Sequence, residues 1–256
     1  MTRPSSAPVI ELRGVDLIYR VFTTSESSLR GSVLKALVGG RLGKDASGHV
    51  VVQALNNLNI TIYEGERVAL YGHNGSGKTT ALRVAAGVYE PTRGQVLTRG
   101  NVSAMLDLNV GLSPDASGRS NIMLLGLHRG LSRKQITALI PDIEEFSELG
   151  MFFDMPVRTY SSGMLTRLGF AFATAVDPDI LILDEWITPG DAAFMNRAAE
   201  RMSSHAGNAR ALLLASHSVE IIKRVCTRVI VLERGVIVED GPPLEVFDRL
   251  DSKNAN

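Results

Sequence analysis

Apolar and polar positions alternate along VIELRGVDLIYR, residues 9–20, a period of two that predicts a strand or a short strand pair. ALNNLNITIY and ERVALYG read as two further strands split by the turn signal EGE, the second apolar enough for a buried central strand. A helix is expected over 79–87. EPTRG then turns the chain through Pro91 and Gly94 into strand-like QVLTRGNVSAML. Over 111–160 the period changes. GRSNIMLLGLHRG and SRKQITALIPDIEEFSEL carry apolar residues at helical spacing with capping serines, predicting an inserted, mostly helical subdomain. Alternation then resumes: helix SGMLTRLGFAFATAV, strand DILILDE, helix DAAFMNRAAERM, strand ARALLLAS, helix SVEIIKRV and strand TRVIVLERG. Such alternation predicts a largely parallel sheet with helices on both faces, and SKNAN is expected to fray.

Composition narrows the class. With 256 residues, 45% hydrophobic and 21% charged, the chain has ample material for a folded α/β core. Lys+Arg 27 balance Asp+Glu 27, which argues against a global electrostatic footprint for nucleic acid. The single cysteine, Cys226, has no partner for an internal disulfide and reads as a buried thiol in a reducing cytoplasm. The longest apolar runs, FAFATAV and ALLLAS, are too short to cross a bilayer, so a membrane role would be peripheral.

GHNGSGKT, Gly72 to Thr79, fits G-x-x-x-x-G-K-[ST] between an apolar strand and a helix, the context of a phosphate loop. Gly72, Gly75 and Gly77, with His73, Asn74 and Ser76 between them, let backbone N–H groups surround phosphates at a helix N-terminus. Lys78 is expected on the β and γ phosphates, the Thr79 hydroxyl on Mg²⁺ and Thr80 near a phosphate oxygen. ILILDE ends a hydrophobic strand in two acids at the edge where open α/β sheets bind ligands. Asp184 suits Mg²⁺, directly or through water, and Glu185 suits a general base. LLLASHS ends another buried strand, with His217 placed to sense a γ-phosphate or, alternatively, lying beside a helix-capping serine. TYSSGMLTRLGFAFA joins a Ser-Ser-Gly turn to a helix start, either a second phosphate grip or an ordinary N-cap.

Carrying GHNGSGKT, YSSGM, ILILDE, GDA and SHS in this order, the chain resembles the nucleotide-binding subunits of ABC transporters over residues 9–245. The resemblance implies a P-loop NTPase core of α/β class with a mostly parallel sheet, an antiparallel β-subdomain and an α-helical subdomain at 111–160; residues 246–256 are left as a short tail. It implies two copies sandwiching two ATP·Mg²⁺ head to tail, with Ser161, Ser162 and Gly163 of one copy facing the nucleotide of the other. Asp191 matches the loop that crosses the dimer interface, Tyr19 the aromatic that stacks on adenine, and His217 the switch histidine. Two positions depart from the pattern: Ser162 and Met164 replace the more usual glycine and glutamine. The glutamine usual after the NVSAML-type strand is also absent. Asp107 stands in its place, where a carboxylate would ligate Mg²⁺ or its water but bring negative charge near the phosphates.

YSSGM, the DEW extension at Glu185 and Trp186, GDAAF and the insertion at 21–52 are similar to the branch exporting cell-surface polysaccharides. That branch implies a separate permease and a peripheral site on the cytoplasmic face of the membrane. Its inserted segment is a gate helix near the lipid-linked glycan. Within SSLRGSVLKALVGGRLGK, Leu29, Val33, Leu34, Leu37 and Val38 gather on one side of a helix that Gly39 and Gly40 would end. Arg30, Lys35, Arg41 and Lys44 flank it, a pattern suited to anionic headgroups. The alternative is a connector packed on its own domain. Two other functional classes remain open at this stage: a soluble ABC-type ATPase acting on nucleic acid or ribosomes, and a subunit serving a different transport substrate.

Overall fold

The computed structural model describes residues 7–20, 41–44, 50–106, 111–185 and 192–254. The chain divides into two compact units. The first comprises the described residues of Met1–Leu106, Asp179–Trp186 and Arg210–Asn256; the second, those of Asp107–Pro178 and Ile187–Ala209.

Two sheets build the first unit. The antiparallel one has the order β2-β3-β1-β5, with β1 Pro8–Arg20, β2 Arg41–Lys44, β3 Val50–Tyr63 and β5 Arg93–Thr98. Alternate residues of β1 and β3, including Ile10, Leu12, Leu58, Ile60 and Ile62, are buried, as the period-two pattern requires. The second sheet has the order β10-β9-β4-β8-β7-β6: β4 Arg67–Tyr71, β6 Val102–Met105, β7 Ile180–Asp184, β8 Ala211–Ala215, β9 Arg228–Glu233 and β10 Val236–Gly241. All its pairings are parallel except β10 with β9. Its central strands are apolar throughout because both faces are covered; Val68, Leu70, Ile182, Leu213 and Ile230 join one core with Leu82 and Val84 of α1, Lys78–Ala85. Also in this unit are α6, Val219–Val225, and α7, Pro243–Asn254.

Helices build the second unit: α2 Gly118–His128, α3 Arg133–Ser147, α4 Ser162–Ala173 and α5 Ala192–Asn208, with 3₁₀ turns at Gly150–Asp154 and Val157–Thr159. Ser132 caps α3 as expected, in a reciprocal capping box with Gln135; α2 is capped instead by Ser117, just before the GRSN run, whose Oγ accepts from Ser120 N at 3.2 Å. Phe146, Phe170 and Phe194 form an aromatic core with ring centroids 5.4–6.4 Å apart.

Three expectations change. Arg41 and Lys44, expected to flank a helix, stand in β2, and β3 begins at Val50, so this end of the insertion is a strand pair. QVLTRGNVSAML is two strands in different sheets, broken at Gly100, whose φ is +124°; the Asp179 carboxylate accepts from Asn101 N at 2.8 Å. The expected tail is mostly α7, anchored by buried Val246 and Phe247, the latter edge-on to Tyr71 at 5.1 Å. Cys226 is buried as expected, and burial pushes its thiol pKa up to about 12. Residues 21–40, Asp107, Trp186 and Asp191 lie outside the described residues, and with them the apolar helix face and two site assignments.

Candidate functional site

The phosphate loop runs from the end of β4 into α1, and its glycines are required by position. A Cβ on Gly72, at φ +149°, would collide with the Leu232 carbonyl and lie 2.8 Å from Ser76 Oγ; one on Gly77, at φ +108°, would lie 2.9 Å from the Ala54 carbonyl oxygen. Ser76 N donates to His73 O at 3.2 Å and Gly235 N to Ser76 O at 2.8 Å, which closes the loop against the β9–β10 turn. Lys78 is buried, and its ammonium donates to the carbonyls of Gly72 at 2.6 Å and His73 at 3.0 Å. Burial lowers its pKa, while the charges of Asp184 and Glu185 oppose that shift.

Strand register brings the other groups to the same edge. Asp184 pairs with Ala215, and Ala215 with Leu70, so β7, β8 and β4 end side by side. Glu185 sits at φ +82°, a left-handed conformation rare for a residue with a Cβ, and its N–H donates to Ala215 O at 2.8 Å. Its carboxylate accepts from the Ser216 hydroxyl at one oxygen and from His217 N, at 3.3 Å, at the other. Tyr19, Asn74, Gly75, Gly77, Lys78, Thr79, Thr80, Asp184, Glu185 and His217 line one cleft. At its mouth Tyr19 meets Tyr89 edge-on, with ring centroids 6.0 Å apart; burial raises the Tyr19 pKa, partly offset by a hydrogen bond with Thr80.

Ser161, Ser162 and Gly163 belong to the second unit, exposed at the N-terminus of α4. Ser161 Oγ accepts from Met164 N at 3.3 Å, the ordinary N-cap. Ser218 caps α6 in the same way, accepting from Ile221 N at 3.2 Å. Sequence reasoning missed Ser216, fully buried beneath Glu185; a serine after an apolar strand gives no signal beyond that of a turn.

The loop fits a polyphosphate. Gly72 and Gly77 leave no room for a Cβ, the buried ammonium is held only by loop carbonyls, and Ser76 Oγ is buried without a hydrogen-bond partner among the described residues. Thr79 and Asp184 are hard oxygen donors. Among the described residues no group of three or more His, Cys, Asp or Glu could hold a metal by itself.

A family model described as ABC transporter matches residues 55–188. The O-antigen export system ATP-binding protein RfbE of Yersinia enterocolitica is 41% identical over 229 residues, covering 90% of this chain and 96% of that protein. The teichoic acids export ATP-binding protein TagH of Shouchella clausii is 34% identical over 244 residues, 95% of this chain but 65% of its own length. A solved ATP-binding subunit of an ABC transporter superposes with a TM-score of 0.70 at 20% identity, covering 95% of this chain and 93% of that one, a likeness of fold.

Proposed function

Because the chain belongs to the ABC transporter family, we propose that it is the ATP-hydrolysing subunit of an exporter of cell-surface polysaccharide, of O-antigen or teichoic acid type, working through a separate permease. The observation that carries the chemistry is the meeting of Lys78, Asp184, Glu185 and His217 at the carboxyl edge of one parallel sheet. The cargo class rests on the export systems for which the relatives are named.

In this reading Tyr19 stacks on the base, the loop from Gly72 to Gly77 holds the phosphates and Lys78 turns from the loop carbonyls to the β and γ phosphates. Thr79 and Asp184 would hold Mg²⁺, which when bound would supply charge neutralisation at the phosphates. Glu185 accepts a proton from the attacking water and the His217 ring orients that water. Ser161, Ser162 and Gly163 complete the pocket of a second copy through the amides of the α4 N-terminus, with Asp191 at the interface and Asp107 near the metal. The ATPase domain runs from residue 9 through α7, and the second unit is its helical subdomain. The basic segment 27–44, with Arg30, Lys35, Arg41 and Lys44 in its sequence, is assigned to anionic lipid or pyrophosphate headgroups at the cytoplasmic membrane surface. Among the described residues no helix is long and apolar enough to cross a membrane, so the membrane path is assigned to the permease.

The test is a chromosomal Lys78→Ala substitution in the native host. Loss of surface polysaccharide with accumulation of its lipid-linked precursor inside the cell is expected. Unchanged surface polysaccharide would overturn the reading.

A further inference from the structure

Ser216 is the first residue beyond β8 and is fully buried, a hydroxyl placed directly after the apolar run Ala211–Ala215. Its N–H is within 3.3 Å of Leu70 O, tying it to the end of β4. Its Oγ accepts from Ser218 N at 3.2 Å and donates to Glu185 Oε1. A hydroxyl has one proton. With Ser218 N–H directed at a lone pair, that proton is turned toward the carboxylate, so the rotor is fixed by the turn that follows β8.

Glu185 needs such a hold. Its backbone occupies the left-handed region at φ +82°, its side chain is exposed, and three torsions separate its carboxylate from the strand. Ser216 Oγ and His217 N grip the two carboxylate oxygens separately, fixing the plane of the group while each oxygen keeps a free lone pair for water. We propose that Ser216 is a positioning residue that aims the Glu185 carboxylate at the attacking water. This rests on the reading of Glu185 as the base.

The test compares steady-state and single-turnover ATP hydrolysis by the full chain with its permease. Ser216→Ala is expected to lower kcat by about tenfold to a hundredfold, part of the hundredfold to ten-thousandfold that a positioned base supplies, with KM for ATP little changed. Ser216→Thr, which keeps the hydroxyl, restores the rate. Ser216→Cys fills the space with a poor donor and behaves like alanine, which provides a second probe should Ser216→Ala fold poorly. Added to Glu185→Gln, Ser216→Ala costs nothing further, because both act through one carboxylate. Full activity in Ser216→Ala beside an inactive Glu185→Gln overturns the positioning role alone. So does a loss that is additive with Glu185→Gln or that follows a matching rise in KM and fall in thermal stability. Parental turnover by Glu185→Gln overturns the reading of the base itself, and this proposal with it.

Discussion

His205 lies on α5 with 2% of its side chain exposed, and neither ring nitrogen has a hydrogen-bond partner among the described residues. Asp177 Oδ1 lies 3.4 Å from Nδ1, an ion pair only when the ring is protonated, and that carboxylate is itself largely exposed. Burial pushes the His205 pKa below its ordinary 6.5; Asp177 pulls it back, while Arg201 and Arg129 add to the depression. The sign follows by linkage. As pH falls through 6.5, the unfolded chain takes up a proton that the folded chain resists, so stability is lost toward acid and unaffected well above 6.5. Replacing the ring by an apolar side chain of similar size removes both the unpaired nitrogens and the titration. An unpaired buried polar group costs about 1–3 kcal/mol, so His205→Leu should stabilise the fold by about 1–2 kcal/mol at neutral pH. Each kcal/mol moves the midpoint of a domain of this size by about 2–4 °C. Thermal unfolding followed by circular dichroism between pH 5 and 8 reads both effects: a higher midpoint at pH 7.5, and a gap over the parent that widens below pH 6.5. An equal or lower midpoint, or a gap independent of pH, would refute the reasoning.

Phe146→Ala removes a ring packed on Phe170 and Phe194, with the Arg201 guanidinium 4.3 Å from its centroid; it should cost about 3–5 kcal/mol in urea unfolding, and a loss under about 1 kcal/mol would contradict this packing. Gly72→Ala should abolish ATP binding in isothermal titration because the loop cannot close around a Cβ; normal affinity would show that the loop has another way to close. Tyr19→Ala should weaken ATP binding about tenfold while Tyr19→Phe keeps it, since stacking uses the ring face, worth about 1–3 kcal/mol per base; equal affinity in both variants would remove Tyr19 from the base site.

The parts legible in the sequence are those with strong local patterns. The apolar runs ending in Tyr71, Asp184 and Ala215 announce the central strands, and Ser132 with Gln135 announces α3. The motif residues Lys78, Asp184, Glu185 and His217 all reach one cleft. What stayed hidden depends on partners distant in the chain. Arg41–Lys44 is a strand only because β3 pairs with it, and Arg99–Asn101 breaks one apolar run because Asp179 captures Asn101. Phe247 fixes α7 by packing on Tyr71. The aromatic core draws α5 into the second unit, where the sequence pattern had suggested only 111–160. Neither the positive φ of Glu185 nor the hydroxyl of Ser216 beneath it has a sequence signature, since both arise from the β7–β8 register.

Glu185→Gln keeps the side-chain shape and leaves Lys78 and the phosphate loop intact, but removes the carboxylate charge and with it the base, so it isolates the claim that ATP joins two copies of this chain. Light scattering of that variant at saturating Mg-ATP should give twice the 27.6 kDa of a single chain, and with Mg-ADP the single-chain mass. A single-chain mass under both nucleotides, with ATP shown to be bound, would contradict the account.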